Sequence, residues 1–367
     1  MRYVTLGDVC KKASSNVAQK DILSNDGKYP IYGASGRIKT VNFYHQEQAY
    51  IAIVKDGAGV GRTMLLPKHS SVIGTMQYII PNELVDIKYL YYAIVYMDLA
   101  KYYRGAAIPH IYFKDYQKEP LKLPVLSEQR RIAAIFEKID SIINRRNLQL
   151  VQLEQAVKSR FIELFGDPKD NPKGYSKKQL KETCRVITGN TPSRAVSEYY
   201  GDHIEWIKTD NIVSGLLNPT TATESLSEKG MAVSRTVESG AILMACIAGS
   251  IASIGRVCVT DRKVAFNQQI NAIVPSDYNI LFLYVMLQIS KEYLVDEINM
   301  ALKGILSKSK LEEKTFYVPP MELQEQFAAF VTQVDKSKYY SQKFLTLCRS
   351  AVNIYEQEWM KCQTLNF

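Results

Sequence analysis

From Ile132 onward the apolar residues settle into alternating steps of three and four: Ile132, Phe136, Ile139, Ile143, Leu150, Leu153, Val157 and Leu164. That is the spacing of one helix face written as a heptad seam. The run Ser127 to Phe165 has no Gly or Pro and stops at FGDPKDNPKG, a helix stop followed by a linker. At the standard helical rise such a helix is roughly 58 Å long. The rhythm returns near the end of the chain at Phe327, Val331, Val334, Leu345, Cys348, Val352, Tyr355 and Trp359, with Lys338 and Ser341 in line. A heptad stripe has to be covered. The expected cover is the other long helix, giving a two-helix coiled coil; packing of each helix on its own globular region is the alternative. Arg146, Arg160 and Lys338 interrupt the seam, although long cations can carry their charge out to solvent. Two nine-residue apolar runs, YLYYAIVYM and LFLYVMLQI, predict buried helices. Ile51 to Val54 predicts a buried strand, and TMLLPKHSSVIGTMQYIIP a strand, a turn and a strand.

The pattern is written twice. PVLSEQRRIAAIFEKID from Pro124 aligns without gaps to PPMELQEQFAAFVTQVD from Pro319, an offset of 195. Gln129 matches Gln324, the Ala-Ala pairs match, and Asp140 matches Asp335. Upstream, Gly61-Arg62 and Pro81 match Gly255-Arg256 and Pro275 at an offset of 194. Leu6, Cys10 and Asn16 match Leu180, Cys184 and Asn190 at 174, which places about 20 extra residues in the first loops of the second half.

The repeat decides how to read IAIVKDGAGVGR, Ile51 to Arg62, whose alternate glycines have the grammar of a nucleotide-binding turn. A fingerprint of that kind needs a helix after the last glycine, and here strand-like residues follow. In the second copy Gly57 and Gly59 become Ile251 and Ser253, while Gly-Arg is kept. The segment therefore reads as a turn between strands, with a place near DNA left open. Neither a Walker lysine motif nor an Asn-Pro-Pro-aromatic tetrapeptide is present.

Composition narrows the function. The 367 residues are 46% hydrophobic and carry a net charge of +9 with a pI near 9.0. That suits two or three domains with real cores and a polyanionic partner, nucleic acid before membrane. The first residues lack a signal-peptide core and no apolar run approaches a membrane span. Six scattered cysteines (Cys10, Cys184, Cys246, Cys258, Cys348, Cys362) predict reduced core thiols and a cytoplasmic protein. Four separated histidines give no metal-ligand cluster, so no metal site is expected; with the cofactor and catalytic motifs missing, no catalytic residues are expected either.

Three clusters suit nucleic acid: YGASGRIKT, with Arg37 and Lys39; KYYRGAAIPHIYFK, with Lys101, Arg104, His110 and Lys114; and, in the second half, GNTPSR, WIKTDN and FNQQIN. The last group offers Thr191, Ser193, Arg194, Lys208, Asn211, Asn267 and Gln268. Arg62 and Arg256 of the matched turns join the candidates. Cations set register on phosphates, Asn, Gln and Arg read base edges, and tyrosines pack on sugars or bases. Each cluster taken singly is equally an ordinary polar loop, and FNQQIN equally a strand with its amides satisfied inside.

With the repeated PVLSEQRRIAAIFEKID and PPMELQEQFAAFVTQVD, each before a long helix, the linker FIELFGDP, and the run GNTPSR…YYGDHIEWIKTDNI with NQQINAIVP, the whole chain resembles the specificity subunit of type I restriction–modification systems. The first half departs from the family in having YPIYGASG where a TPS-type opening is usual. The resemblance implies an α+β fold: two similar target-recognition domains joined by two long antiparallel coiled-coil helices, an internal duplication with a pseudo-twofold. The domains would be residues 1–123 and 176–318, the helices 124–165 and 319–367, and the linker 166–175. Each domain would read one half of a split, asymmetric site in double-stranded DNA. The helices would space the half-sites, which lie about 34 Å or one turn apart. The seam residues Ile132, Phe136, Ile139, Ile143, Leu150, Leu153, Val157, Phe327, Val331, Val334, Leu345 and Val352 would pair the helices and support docking of two modification subunits. Those partners would bring S-adenosylmethionine and methylate adenine, and restriction subunits with ATP and Mg would join for cleavage. No cofactor is expected in this chain, which would not itself be an enzyme. The alternatives are a recognition fragment of a fused restriction–methylation enzyme, or a non-catalytic coiled-coil scaffold.

Overall fold

The structure is a computed structural model that describes residues 2–105, 109–296, 298 and 304–360, with side chains to residue 353. Cys362 and the side chains of Tyr355 and Trp359 lie outside the described residues. The chain divides into two compact units, one of Met1–Arg145 together with the chain from Leu345, the other of Arg146–Phe344. Each unit mixes sheets with helices, as expected of an α+β chain.

Both units are built on the same four-stranded antiparallel sheet. In the first the order is Cys10–Ser14, Met76–Pro81, Tyr50–Val54, Thr63–Leu66; in the second it is Cys184–Thr188, Ile270–Pro275, Ile242–Ala245, Val257–Val259. The register is the same in both: Cys10 opposes Pro81, and Cys184 opposes Pro275. Continuous apolar sequence forms the central strands because both faces are covered, so Tyr50, Ile51, Ala52, Ile53 and Val54 are all fully buried. A second sheet in each unit contains one parallel pairing. Ile31 and Tyr32 lie beside Ser71 and Val72, and Trp206 and Ile207 lie beside Ala265 and Phe266. YPIYGASG is thus the structural counterpart of IEWIKTDN, a correspondence that gapless sequence matching does not reveal.

The nine-residue apolar runs fall in the helices Ile87–Tyr96 and Ile280–Ile289. Asp86 caps the first by accepting from the N–H groups of Lys88 and Tyr89, and Asn279 caps the second through Leu281 and Phe282. The repeated Gln now has a reason. Gln129 Oε1 accepts from the Asp86 N–H at 2.7 Å while its Nε2 donates to the Pro124 carbonyl at 2.9 Å. Gln324 does the same with the Asn279 N–H and the Pro319 carbonyl, at 2.9 and 2.8 Å. A buried amide ties the start of each long helix to the cap of the preceding one.

The long helices are Leu126–Phe165 and Met321–Met360, about 60 Å each at the helical rise. Every seam residue whose side chain is described is buried or half-buried. Within the second unit the two helices run antiparallel: Phe161 meets Phe327 at 5.5 Å, Glu154 pairs with Lys338 at 3.2 Å, and the Arg146 guanidinium lies 5.3 Å from the Phe344 ring. All three seam cations are therefore accommodated: Lys338 by a carboxylate across the pair, Arg146 by a ring face, and Arg160 by Glu163 of its own helix at 2.8 Å. Both kinds of cover operate. Phe161, Phe327 and Val331 enter the core of the second unit, and Phe136, with Ile132 and Val352 packed beside it, that of the first.

Equivalent positions 195 residues apart carry one contact with its charges exchanged. Glu119, buried at 6% exposure, accepts from Lys101 Nζ at 2.6 Å and from the Tyr102 hydroxyl. Lys314, buried at 5%, donates to Asp296 at 2.8 Å and lies over the Tyr293 ring. The backbone around them is unchanged: Leu6 N–H donates to the Glu119 carbonyl and Leu180 N–H to the Lys314 carbonyl, both at 2.9 Å.

Candidate nucleic-acid interface

In the first unit three loops distant in sequence converge. The segment after Val54 is a hairpin turn: Gly61 N–H donates to the Val54 carbonyl, and Val54 N–H to the Arg62 carbonyl, both at 2.9 Å. Gly61 sits at φ +85°, and a Cβ there would meet the Ala100 nitrogen at 2.8 Å, so the glycine is required by the turn. A strand, Thr63–Leu66, follows the last glycine. The turn touches both other clusters. Arg62 Nη1 donates to the Ala34 carbonyl at 2.8 Å, in the YGASGR loop. Gly57 N–H donates to the Pro109 carbonyl at 2.9 Å, and Asp56 bonds the His110 ring. His110 packs on Tyr112 at 4.2 Å, with Lys114 over the same ring at 5.3 Å.

The candidates here are not equally free. Arg37, Arg62, Arg104 and Lys114 are exposed; Arg104 also pairs with Asp115 at 3.2 Å. Lys39 is tied to Asp26 at 2.8 Å and Lys101 to Glu119. Residues 106–108 of KYYRGAAIPHIYFK lie outside the described residues.

In the second unit the same two hydrogen bonds close the hairpin, across a loop three residues longer (245 to 255 against 54 to 61). Gly255, at φ +76°, donates to the Ala245 carbonyl, and Arg256 Nη2 donates to the Thr209 carbonyl at 3.3 Å, Thr209 being the counterpart of Ala34. The matched arginines thus make the same clamp between the two sheets of each unit. Around this frame GNTPSR, WIKTDN and FNQQIN come together. Gly189 lies so close to Phe266 and Asn267 that a Cβ would fall 2.2 Å from the Asn267 carbonyl oxygen. Trp206 Nε1 donates to the Asn190 carbonyl at 3.3 Å, and the Thr191 hydroxyl donates to Gln268.

The centre of the patch is a carboxylate, Glu224, that sequence reading missed. Arg194 grips it end-on, Nη1 and Nη2 donating at 2.6 and 3.0 Å, and Lys208 bonds its second oxygen. The Arg194 guanidinium lies 4.3 Å from the Tyr200 ring and 5.3 Å from Trp206, with Lys208 5.2 Å from Trp206. Arg194 first, then Lys208, holds the Glu224 carboxyl down to about 2. TTATES, where Glu224 sits, has no pattern that marks it. Trp206 was legible as part of WIKTDN, but its role as a platform required the fold.

Thr191, Ser193, Arg194 and Gln268 are exposed, while Lys208 and Arg256 are half-buried. Asn211 and Asn267 are buried at 6%, their amides spent inside the unit. Asn211 accepts from the Lys208 N–H and donates to Thr220 and Thr221, and Asn267 closes a turn onto Gln269. Both are structural amides here; for Asn267 of FNQQIN the amide is satisfied inside, as the sequence left open, but in a turn rather than a strand. Among the described residues no group of three or more His, Cys, Asp or Glu is placed to hold a metal ion. Cys10, Cys184, Cys246 and Cys258 are buried free thiols, pushed up to about 12 by burial.

A family model for the type I restriction modification DNA specificity domain matches residues 1–154 and again residues 172–343. The chain belongs to this family. Its two matches fall on the two halves of the duplication, and members of the family supply DNA recognition rather than catalysis. Among its relatives, the HindI specificity subunit of Haemophilus influenzae is 32% identical over 120 residues, covering 32% of this chain and 25% of that protein. The MjaVIII specificity subunit of Methanocaldococcus jannaschii is 27% identical over 180 residues, covering 45% and 42%. The specificity domains of this chain thus align with less than half the length of either relative. Among solved structures, the S subunit of the type I restriction–modification system of M. genitalium superposes with a TM-score of 0.68 at 14% identity, covering 98% of this chain and 95% of that one. A chain from a structure on complex assembly and conformational transition of the type I R-M system gives 0.54 at 17% identity, covering 98% and 96%. These likenesses concern the fold.

Proposed function

We propose that this chain is the DNA-reading specificity subunit of a type I restriction–modification complex. One recognition domain, residues 1–123, reads one half of a split, asymmetric site, and the other, residues 176–318, reads the second half. The observation that carries the reading is the convergence, at equivalent places in both units, of basic and aromatic loops on a Gly-Arg hairpin. Exposed Arg37, Arg62, Arg104 and Lys114 serve the first half-site, and Thr191, Ser193, Arg194, Lys208 and Gln268 the second. Because the surrounding loops differ, the half-sites differ.

The long helices act as the spacer and dock two modification subunits. Their seam is occupied by this chain's own packing, so docking uses exposed apolar side chains such as Leu148, Val151, Tyr339 and Tyr340. S-adenosylmethionine enters with the modification subunits, and ATP with Mg enters with the restriction subunits. The complex works on cytoplasmic DNA. Among the described residues no helix is long and apolar enough to cross a membrane.

The test is an adenine-methylation map of DNA from cells expressing the chain with its modification subunit, against a deletion of the chain. The expected result is one split motif, with two unlike halves around a fixed gap, that vanishes in the deletion. A stable complex that leaves no motif would instead favour a scaffold.

A further inference from the structure

The Arg194–Glu224 contact is built for more than charge pairing. We infer that Arg194 reads a guanine in the half-site of the second domain, and that Glu224 is the positioning residue that aims it. The inference rests on the DNA-reading function proposed above.

A guanidinium has five N–H donors in a fixed plane. Glu224 takes one from Nη1 and one from Nη2, an end-on grip. That leaves the Nε–H and the neighbouring Nη hydrogen side by side on the adjacent edge, a two-donor fork that matches the O6 and N7 acceptors of guanine in the major groove. No hydrogen bond from Nε is formed among the described residues, and the Arg194 side chain keeps 55% of its surface open. The plane is fixed twice, by the carboxylate and by the Tyr200 and Trp206 faces, so little rotamer freedom remains to be lost when a base arrives.

Charge separates a base from a phosphate as the partner of this edge. A phosphate against it would lie beside the ionised Glu224 carboxylate, which offsets one of the two cations there, Arg194 and Lys208, and lessens the pull on an anion. A guanine edge is neutral and accepts the fork without that loss. Lys208 shares the Oε2 oxygen with Arg194 Nη2, which keeps Glu224 from swinging with a bound ligand. The first unit has no equivalent arrangement among its described residues: the counterpart of Trp206 is Ile31, and that of Lys208 is Gly33. The effect should therefore be confined to one half of the target.

The experiment uses the full chain in complex with its modification subunit, reading both the methylated motif and binding to duplexes with each base of the second half-site replaced in turn. Arg194→Ala should make one G·C position of that half accept any base and weaken cognate binding about 10- to 100-fold, leaving the first half intact. Arg194→Lys should not restore discrimination, because a point charge lacks the fork. Glu224→Gln should relax the same position to a smaller degree, Glu224→Asp should recover part of it, and Arg194→Ala with Glu224→Gln should be no worse than Arg194→Ala alone. An unchanged motif in Arg194→Ala overturns the inference. So does a loss of affinity equal for all sequences with a shallower salt dependence, the mark of a phosphate contact. A wild-type complex that leaves no split motif overturns the function reading itself, and this inference with it.

Discussion

Lys101 with Glu119 in the first unit and Asp296 with Lys314 in the second are one contact with its charges exchanged. In each unit a nearly buried charge ties the strand that pairs with the start of that unit to the segment following its apolar helix. The difference teaches that the fold requires a paired charge at this point and is indifferent to its sign. The buried member cannot be left alone, since an uncompensated charge in a core is costly, but either polarity satisfies it. The Gly-Arg turns make the complementary point. There the backbone conformation and the clamp onto a carbonyl in the second sheet are specific requirements, and both copies keep the same residues.

The largest test of this comparison is Glu119→Lys, which sets two ammonium groups against each other in a nearly closed site. It should lower the unfolding free energy by about 3–5 kcal/mol. Adding Lys101→Asp, which rewrites the first unit in the polarity of the second, should return at least half of that in denaturant melts. No recovery would mean that the two sites differ in more than sign. A smaller contrast is expected at the turn glycines. Ala at either Gly61 or Gly255 meets the positive-φ penalty of about 1–2 kcal/mol. Gly61→Ala adds a collision with the Ala100 nitrogen, whereas a Cβ at Gly255 makes ordinary contacts with the side chains of Lys291 at 3.6 Å and Val295 at 3.9 Å. Gly61→Ala should therefore show the lower melting temperature of the two. The smallest effect belongs to the clamp: Arg62→Ala and Arg256→Ala should each cost about 0.5–1.5 kcal/mol, more at half-buried Arg256. If neither variant loses stability and both lose DNA affinity, the arginines face DNA rather than hold the sheets together.

Much of the architecture was legible because it rests on local periodicity. A seam at Ile132, Phe136, Ile139 and Ile143 or at Phe327, Val331 and Val334 can only be a helix with one covered face, and a helix that long shows through any surroundings. The repeat was legible for the same reason at Gln129 and Gln324, where one amide satisfies two backbone groups and no other side chain of that length does so. The match of YPIYGASG to IEWIKTDN was hidden. What the two stretches share is a place beside a parallel partner strand, which constrains backbone direction and leaves side-chain identity nearly free.

The candidate interface divided along the same line. The clusters around Arg37, Arg62 and His110, and around Arg194, Lys208 and Gln268, were visible as residue types suited to nucleic acid. Composition could not separate Arg194, open on one edge, from Asn211 and Asn267, whose amides are consumed inside the unit. Nor could it find Glu224, 30 residues from Arg194 in sequence and in direct contact with it in space. By itself the sequence determined the duplication, the two long helices, the basic character and the Gly-Arg hairpins, because each is set by spacing along the chain or by the conformational needs of single residues. Only the tertiary structure decided which polar side chains remain free to meet a ligand. A hydrogen-bonding group is satisfied by whatever the fold brings within about 3 Å of it, and that distance is not written in the order of the residues.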